Sequence, residues 1–159
     1  MHDRLLENWN AVDAITLQFL DNIPESIYHS RSFADRFTSF AWEFTCIFTT
    51  REMYIDGFVT GNLDGNSKQS DEKFITALTK SELKEKLKDI SFKIRDVIAD
   101  GSKEINYFGS SWKTGEVVSY LLQHEQLHFG KLMLYCAHAD IEIPTFLKEM
   151  CGMASFAKK

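Results

Sequence analysis

The sequence predicts an all-α protein, a four-helix bundle with one long crossover loop and a short C-terminal helix. Helix breakers are scarce, with 2 Pro and 8 Gly in 159 residues. Apolar residues recur at three- and four-residue intervals through four long stretches. The connection over residues 59–72 is long and dense in turn formers, and no internal repeat or low-complexity tract interrupts the pattern. The length fits one domain, residues 1–159, able to bury roughly two-thirds of its unfolded surface.

The first helix runs from Asp3 to about Leu20, with Leu5, Trp9, Val12, Ile15, Phe19 and Leu20 on its apolar side. Pro24 ends it, because proline disfavours helix in the residue before it. The second helix spans SFAWEFTCIFTTREMYIDGF, residues 39–58. An earlier start at Ser32 is offered by the spacing of Ser32 and Asp35, that of a capping box. VTGNLDGNSKQSDE, residues 59–72, is a loop within the domain, since neither flank is large enough to fold alone. A third helical region, from about Asp71 to Ala99, breaks near Thr79 and Ser81. Its second half sets Leu83, Leu87, Ile90, Ile94 and Ile98 opposite a solvated face of Lys and Glu. Residues 101–115 form a connection with an extended piece at INYF. The fourth helix runs from about Lys113 to Ala139, and a short helix follows from Thr145 to Met150.

Composition narrows the function. A formal net charge of -5 provides no basic field for phosphates, which argues against nucleic acid and acidic lipid surfaces as partners. The opening MHDRLLENWN carries charges where a signal peptide needs an apolar core, and no apolar run approaches the roughly 20 residues of a membrane span. A soluble, cytoplasmic protein is expected. Cys46, Cys136 and Cys151 are odd in number and widely spaced, which is no disulfide framework. Cys136 and Cys151 read as packing thiols.

The chemistry concentrates in the fourth helix. LLQHEQLHFGKLMLYCAHADIEIP contains His124, Glu125 and His128 as an HExxH. Four residues turn a helix by about 400 degrees and rise about 6 Å, so the two histidines project along one line and can grip one ion. Val117, Leu121, Leu132 and Tyr135 continue that line, which places the imidazoles in an apolar stripe. There each needs a protein partner or a metal, because a buried polar group without one costs on the order of 2–7 kcal/mol. A zinc peptidase, with Glu125 as general base, fits poorly. The glycine and third histidine that follow a metzincin motif are absent, and only about 30 residues remain to supply another ligand. His2, His29 and His138 do not stand at ligand spacing from another histidine or cysteine along a helix. Trp42 and Trp112 read as core or pocket walls.

Two segments resemble the DinB-like superfamily of four-helix bundles. HEQLHFGKLMLYCAHADIEIP is similar to that family's last helix, with His124, His128, Gly130, Lys131, Tyr135 and Pro144 in the motif's places. SFAWEFTCIFTTREMYIDGFVTG resembles its second helix, with Arg51, Tyr54 and Gly57 in familiar positions. The resemblance implies a DinB-like bundle holding a divalent metal, zinc or nickel, with three histidines: two from the last helix and one from the second. The place of that second-helix histidine falls on Cys46. A thiolate is a good zinc ligand, so either Cys46 or Glu43, one turn earlier, completes the ligand set with His124 and His128. Arg51 reads as a structural or interfacial charge, and Glu43 has pairing with Arg51 as its alternative role.

Two functions follow. The first is a divalent-metal-dependent enzyme between the second and fourth helices, with thiol transfer, thiol-dependent isomerisation or hydrolysis as its chemistry and a low-molecular-weight thiol as partner. The second is a metal-free bundle that lost the third ligand and serves as a small-ligand-binding or protein-interaction module. A homodimer is implied in either case by the resemblance and the many aromatics.

Overall fold

The computed structural model describes residues 2–31, 34–63 and 71–150. In chain order the elements are α1 (His2–Asn22), α2 (Glu25–Tyr28), α3 (Phe40–Thr60), β1 (Asn62–Leu63), α4 (Glu72–Thr76), α5 (Lys80–Asp100), β2 (Glu104–Tyr107), β3 (Ser110–Lys113), α6 (Thr114–His138) and α7 (Thr145–Met150). The four long helices are the expected ones, and α1 and α3 each pack between α5 and α6. No helix among the described residues is long and apolar enough to cross a membrane.

Local chemistry sets the helix ends. Ser39 caps α3 by accepting the Trp42 backbone N–H, so the helix begins at Phe40. The earlier start at Ser32 lies outside the described residues, as do Cys151 and half of the long loop. The interruption near Thr79 is a capping box: Thr79 accepts from the Glu82 N–H, and the Glu82 carboxylate accepts from the Thr79 N–H at 2.9 Å. Gly61 ends α3 at φ 75°, where a residue without Cβ is favoured.

A small sheet, ordered β1-β2-β3, adds to the bundle. The expected extended piece at INYF is β2, and it turns through Phe108 and Gly109, both at positive φ, into antiparallel β3. β1 pairs with β2 in parallel, Asn62 opposite Asn106 and Leu63 opposite Tyr107. This holds the hairpin against the ends of α3 and α6. Tyr107 lies against Trp112 and Tyr120, and its hydroxyl is 3.4 Å from that of Tyr54.

The close approach of β1 to α3 explains a glycine. A Cβ at Gly57 would stand 3.0 Å from the Leu63 Cβ, and Leu63 is buried on a paired strand that cannot swing aside. Gly57→Ala is therefore expected to destabilise the fold by about 1–3 kcal/mol, despite the better helix propensity of alanine. Gly130, inside α6, has nothing within 4 Å of a built Cβ. Gly130→Ala should stabilise by about 0.4–1 kcal/mol. Urea midpoints that move in opposite directions for the two variants would bear this out, and a stabilised Gly57→Ala would refute the packing argument.

At the bundle's centre the four long helices meet through charge. Arg51 of α3 is fully buried and donates to Asp13 of α1 at 2.8 Å and to both carboxylate oxygens of Glu125 of α6 at 2.9 and 3.0 Å. Arg95 of α5 donates to the other oxygen of Asp13 at 3.0 Å. The Arg51 guanidinium also lies 4.8 Å from the Trp9 ring, whose N–H donates to Ser91 of α5. Two cations and two carboxylates balance, as buried ions must.

Candidate metal centre

α3 and α6 pack side by side, which sets Glu43, Cys46 and Thr50 of one opposite His124, His128 and Lys131 of the other. The Nε2 atoms of His124 and His128 are 3.1 Å apart, and Cys46 Sγ is 3.8 Å from His124 Nε2. One ligand atom from each of the three side chains lies within 4.8 Å of the others. His128 is buried, and Cys46 and His124 are half-buried, at the seam between the helices.

These separations fit one ion. Two nitrogens each about 2.0–2.1 Å from a tetrahedral zinc lie roughly 3.3 Å apart, and a nitrogen and a thiolate sulfur roughly 3.6 Å. Nitrogen and sulfur donors together are a set that zinc accepts readily. Facing Nε2 atoms offer two lone pairs to an ion, whereas without one they need a shared proton.

Glu43 takes another position. Its carboxylate is buried on the far side of His128 and accepts from His128 Nδ1 at 2.6 Å. It also accepts from Thr38 Oγ1 at 2.7 Å and Tyr135 O–H at 2.9 Å, and Lys131 Nζ lies at 3.3 Å. A proton on Nδ1 leaves Nε2 of neutral His128 bare and directed at the cluster. This is the carboxylate–histidine arrangement that orients ligands in zinc proteins. The alternative pairing of Glu43 with Arg51 does not occur, because Arg51 is held by Asp13 and Glu125.

Glu125, the middle of the HExxH, faces away from the histidines and into the central network. Adjacent helix residues point about 100 degrees apart, so a carboxylate next to a ligand need not face the ion. Clamped in this way it cannot serve as a peptidase base at the histidines. His124 Nδ1 is buried with no hydrogen-bond partner among the described residues, while Thr50 Oγ1 lies 3.4 Å from its Nε2.

Burial and neighbours move the proton affinities apart. Burial, then the charges of His128 and Lys131, lowers His124 to about 4. Burial pulls His128 down as well, but its bonds to Cys46 and Glu43 outweigh that and raise it to about 9. Burial pushes Glu43 up, yet the donors His128, Thr38 and Tyr135 bring it to about 2.

These shifts set a pH window for the metal-free protein. Glu43 sits below its ordinary 4.5, so its contribution is full above that pH and is lost as pH falls toward 2. His128 sits above its ordinary 6.5, so its contribution is full below that pH and is lost as pH rises through 9. With a chelator present, wild type should exceed Glu43→Gln most in stability between pH 4.5 and 6.5. Urea midpoints across pH test this, and a gap that does not narrow on both sides would contradict it.

No protein-family model matches the chain, and no curated protein matches it in sequence. Its structure is similar to the crystal structure of a DinB-like protein from Bacillus cereus, with a TM-score of 0.66 at 14% identity, over 88% of this chain and 93% of that one. The chain has the DinB-like fold. It is also similar to the crystal structure of the mycothiol-dependent maleylpyruvate isomerase, with a TM-score of 0.61 at 9% identity, over 83% of this chain. There the match covers 60% of the isomerase chain, less than two-thirds of its length.

On this DinB-like frame Cys46, His124 and His128 converge, Glu43 stands behind His128, and Trp42 flanks the site beneath Lys131. Trp112 belongs to the hairpin, beside Tyr107 and Tyr120. Cys136 is a buried packing thiol on α6, and its pKa is raised to about 12 by burial. Sequence reasoning placed Lys131 in the last-helix motif without giving it a role, and missed Thr50 as part of the site. Lys131 follows His128 by three residues and Thr50 follows Cys46 by four, so helical spacing was the available signal.

Proposed function

We propose that the protein is a divalent-metal-dependent enzyme of DinB-like fold, in which Cys46, His124 and His128 hold zinc or nickel and a low-molecular-weight thiol is the co-substrate. The convergence of one sulfur and two nitrogens at ion-binding separations carries this reading. A divalent ion supplies Lewis acidity, which lowers the pKa of a thiol or water that joins it and gives a nucleophile near neutral pH.

The chain's own residues do the rest. Glu43 fixes the tautomer and orientation of His128, and Thr38 and Tyr135 hold Glu43 in place. Cys46 would give the ion a sulfur ligand, whose charge once bound to the metal would offset part of the ion's. Thr50 Oγ1, near His124 Nε2, is a donor for a ligand at the seam. Cys46, His124 and His128 would hold the ion with three protein donors, the number found in catalytic rather than structural zinc sites.

Transfer or isomerisation assisted by a thiol fits this arrangement, and the likeness to a mycothiol-dependent isomerase supports it. The test is consumption of a small thiol with a soft electrophile by zinc- and nickel-loaded protein. Ion-dependent consumption that disappears in Cys46→Ala is expected. Failure to take up either ion would overturn the reading in favour of a metal-free binding module.

A further inference from the structure

We infer that Lys131 selects the thiol, so that the site takes thiols carrying an anionic group, such as a carboxylate a few bonds from sulfur. This rests on the metal-and-thiol reading above.

Lys131 lies on α6 three residues beyond His128 and seven beyond His124, on the side of the helix that carries both. Its ammonium is 3.3 Å from Glu43 Oε2 and 5.6 Å from the centre of the Trp42 ring. Trp42 precedes Cys46 by four residues on α3. The two helices therefore bring an ammonium and an indole to one end of the seam, next to the ligand cluster. The Lys131 side chain is 42% exposed, whereas Glu43 is 1% exposed, so the cation forms the solvent-facing edge of the site.

Glu43 does not exhaust that cation. It already receives donors from His128, Thr38 and Tyr135, and Lys131 is the longest of its four contacts. An ammonium has three N–H donors, and one suffices for Glu43. The others are available at the exposed edge.

The charge balance points the same way. The central network of Arg51, Arg95, Asp13 and Glu125 sums to zero. At the seam, a divalent ion and Lys131 contribute three positive charges, and Cys46 thiolate and Glu43 contribute two negative. One unit of positive charge remains for the incoming thiolate, and Lys131 places a second attractive pole where its substituent enters. An ammonium-bearing thiol meets repulsion there instead. At a separation of several ångströms in a half-exposed site, one such charge changes affinity by about tenfold.

The experiment titrates cobalt-loaded protein with three thiols of equal chain length, 3-mercaptopropionate, 2-mercaptoethanol and cysteamine, following the sulfur-to-cobalt absorption. The measured quantity is the ratio of dissociation constants within each protein. In wild type the dissociation constant should be larger for cysteamine than for 3-mercaptopropionate; Lys131→Gln should lower that cysteamine-to-mercaptopropionate ratio about a hundredfold, roughly tenfold from each charged thiol, and Lys131→Glu should lower it further. Lys131→Arg should keep it, and added salt should reduce it in wild type. A ratio unchanged between wild type and Lys131→Gln overturns the inference while leaving the metal site standing. Should Lys131→Gln fail to hold cobalt, a wild-type ratio insensitive to salt overturns it equally. Absence of cobalt uptake by wild type overturns the inference and the metal reading together.

Discussion

Arg51→Met is expected to destabilise the protein by about 3–5 kcal/mol, a large fraction of the stability of a domain this size. The guanidinium is fully buried and supplies hydrogen bonds to Asp13, Thr16 and Glu125. Its removal strands two carboxylates inside the bundle, with only Arg95 left to answer Asp13. A methionine fills much of the volume and none of the charge. Urea denaturation measures the loss, and an Arg51→Met protein as stable as wild type would show that the network is dispensable. Pairing Arg51→Met with Asp13→Asn and Glu125→Gln should recover part of the loss, because the stranded charges go with the cation.

The second large effect concerns the metal centre. His128→Ala and Cys46→Ala should each weaken zinc affinity by on the order of 10²–10³-fold, given that structural zinc sites gather about 10–16 kcal/mol from four ligands. Competition against a chromophoric chelator measures it. His128→Ala should be the more severe of the two, because His128 is held by Glu43 on its far side, while Cys46 has no such support among its contacts. Equal affinity in wild type and both variants would mean that any bound metal sits elsewhere.

Much of this was legible in the sequence. His124 and His128, four apart in an apolar stripe, announced a shared site because helical periodicity alone fixes their common direction. Cys46 was reached only through the resemblance of the second helix, since a lone cysteine among Phe44, Ile47 and Phe48 reads as packing. The position of Glu43 behind His128 depends on how α3 is rotated against α6 and on Thr38, which lies before the helix. Spacing gives neither. Glu125 was ambiguous for the same reason, and the pairing with Arg51, 74 residues away, resolves it. Of the sheet only the extended piece at INYF was legible; β1 escaped because it is two residues long and pairs with residues more than 40 positions later, leaving no alternation to read.

Metal content tests the central claim most directly. Untagged protein, purified without chelators and assayed by plasma mass spectrometry, should carry about one equivalent of zinc or nickel per chain, and His128→Ala should carry far less. Wild type that remains metal-free after incubation with either ion would contradict the account and leave a helical bundle in which Cys46, His124 and His128 are held by one another, by Glu43 and by Thr50.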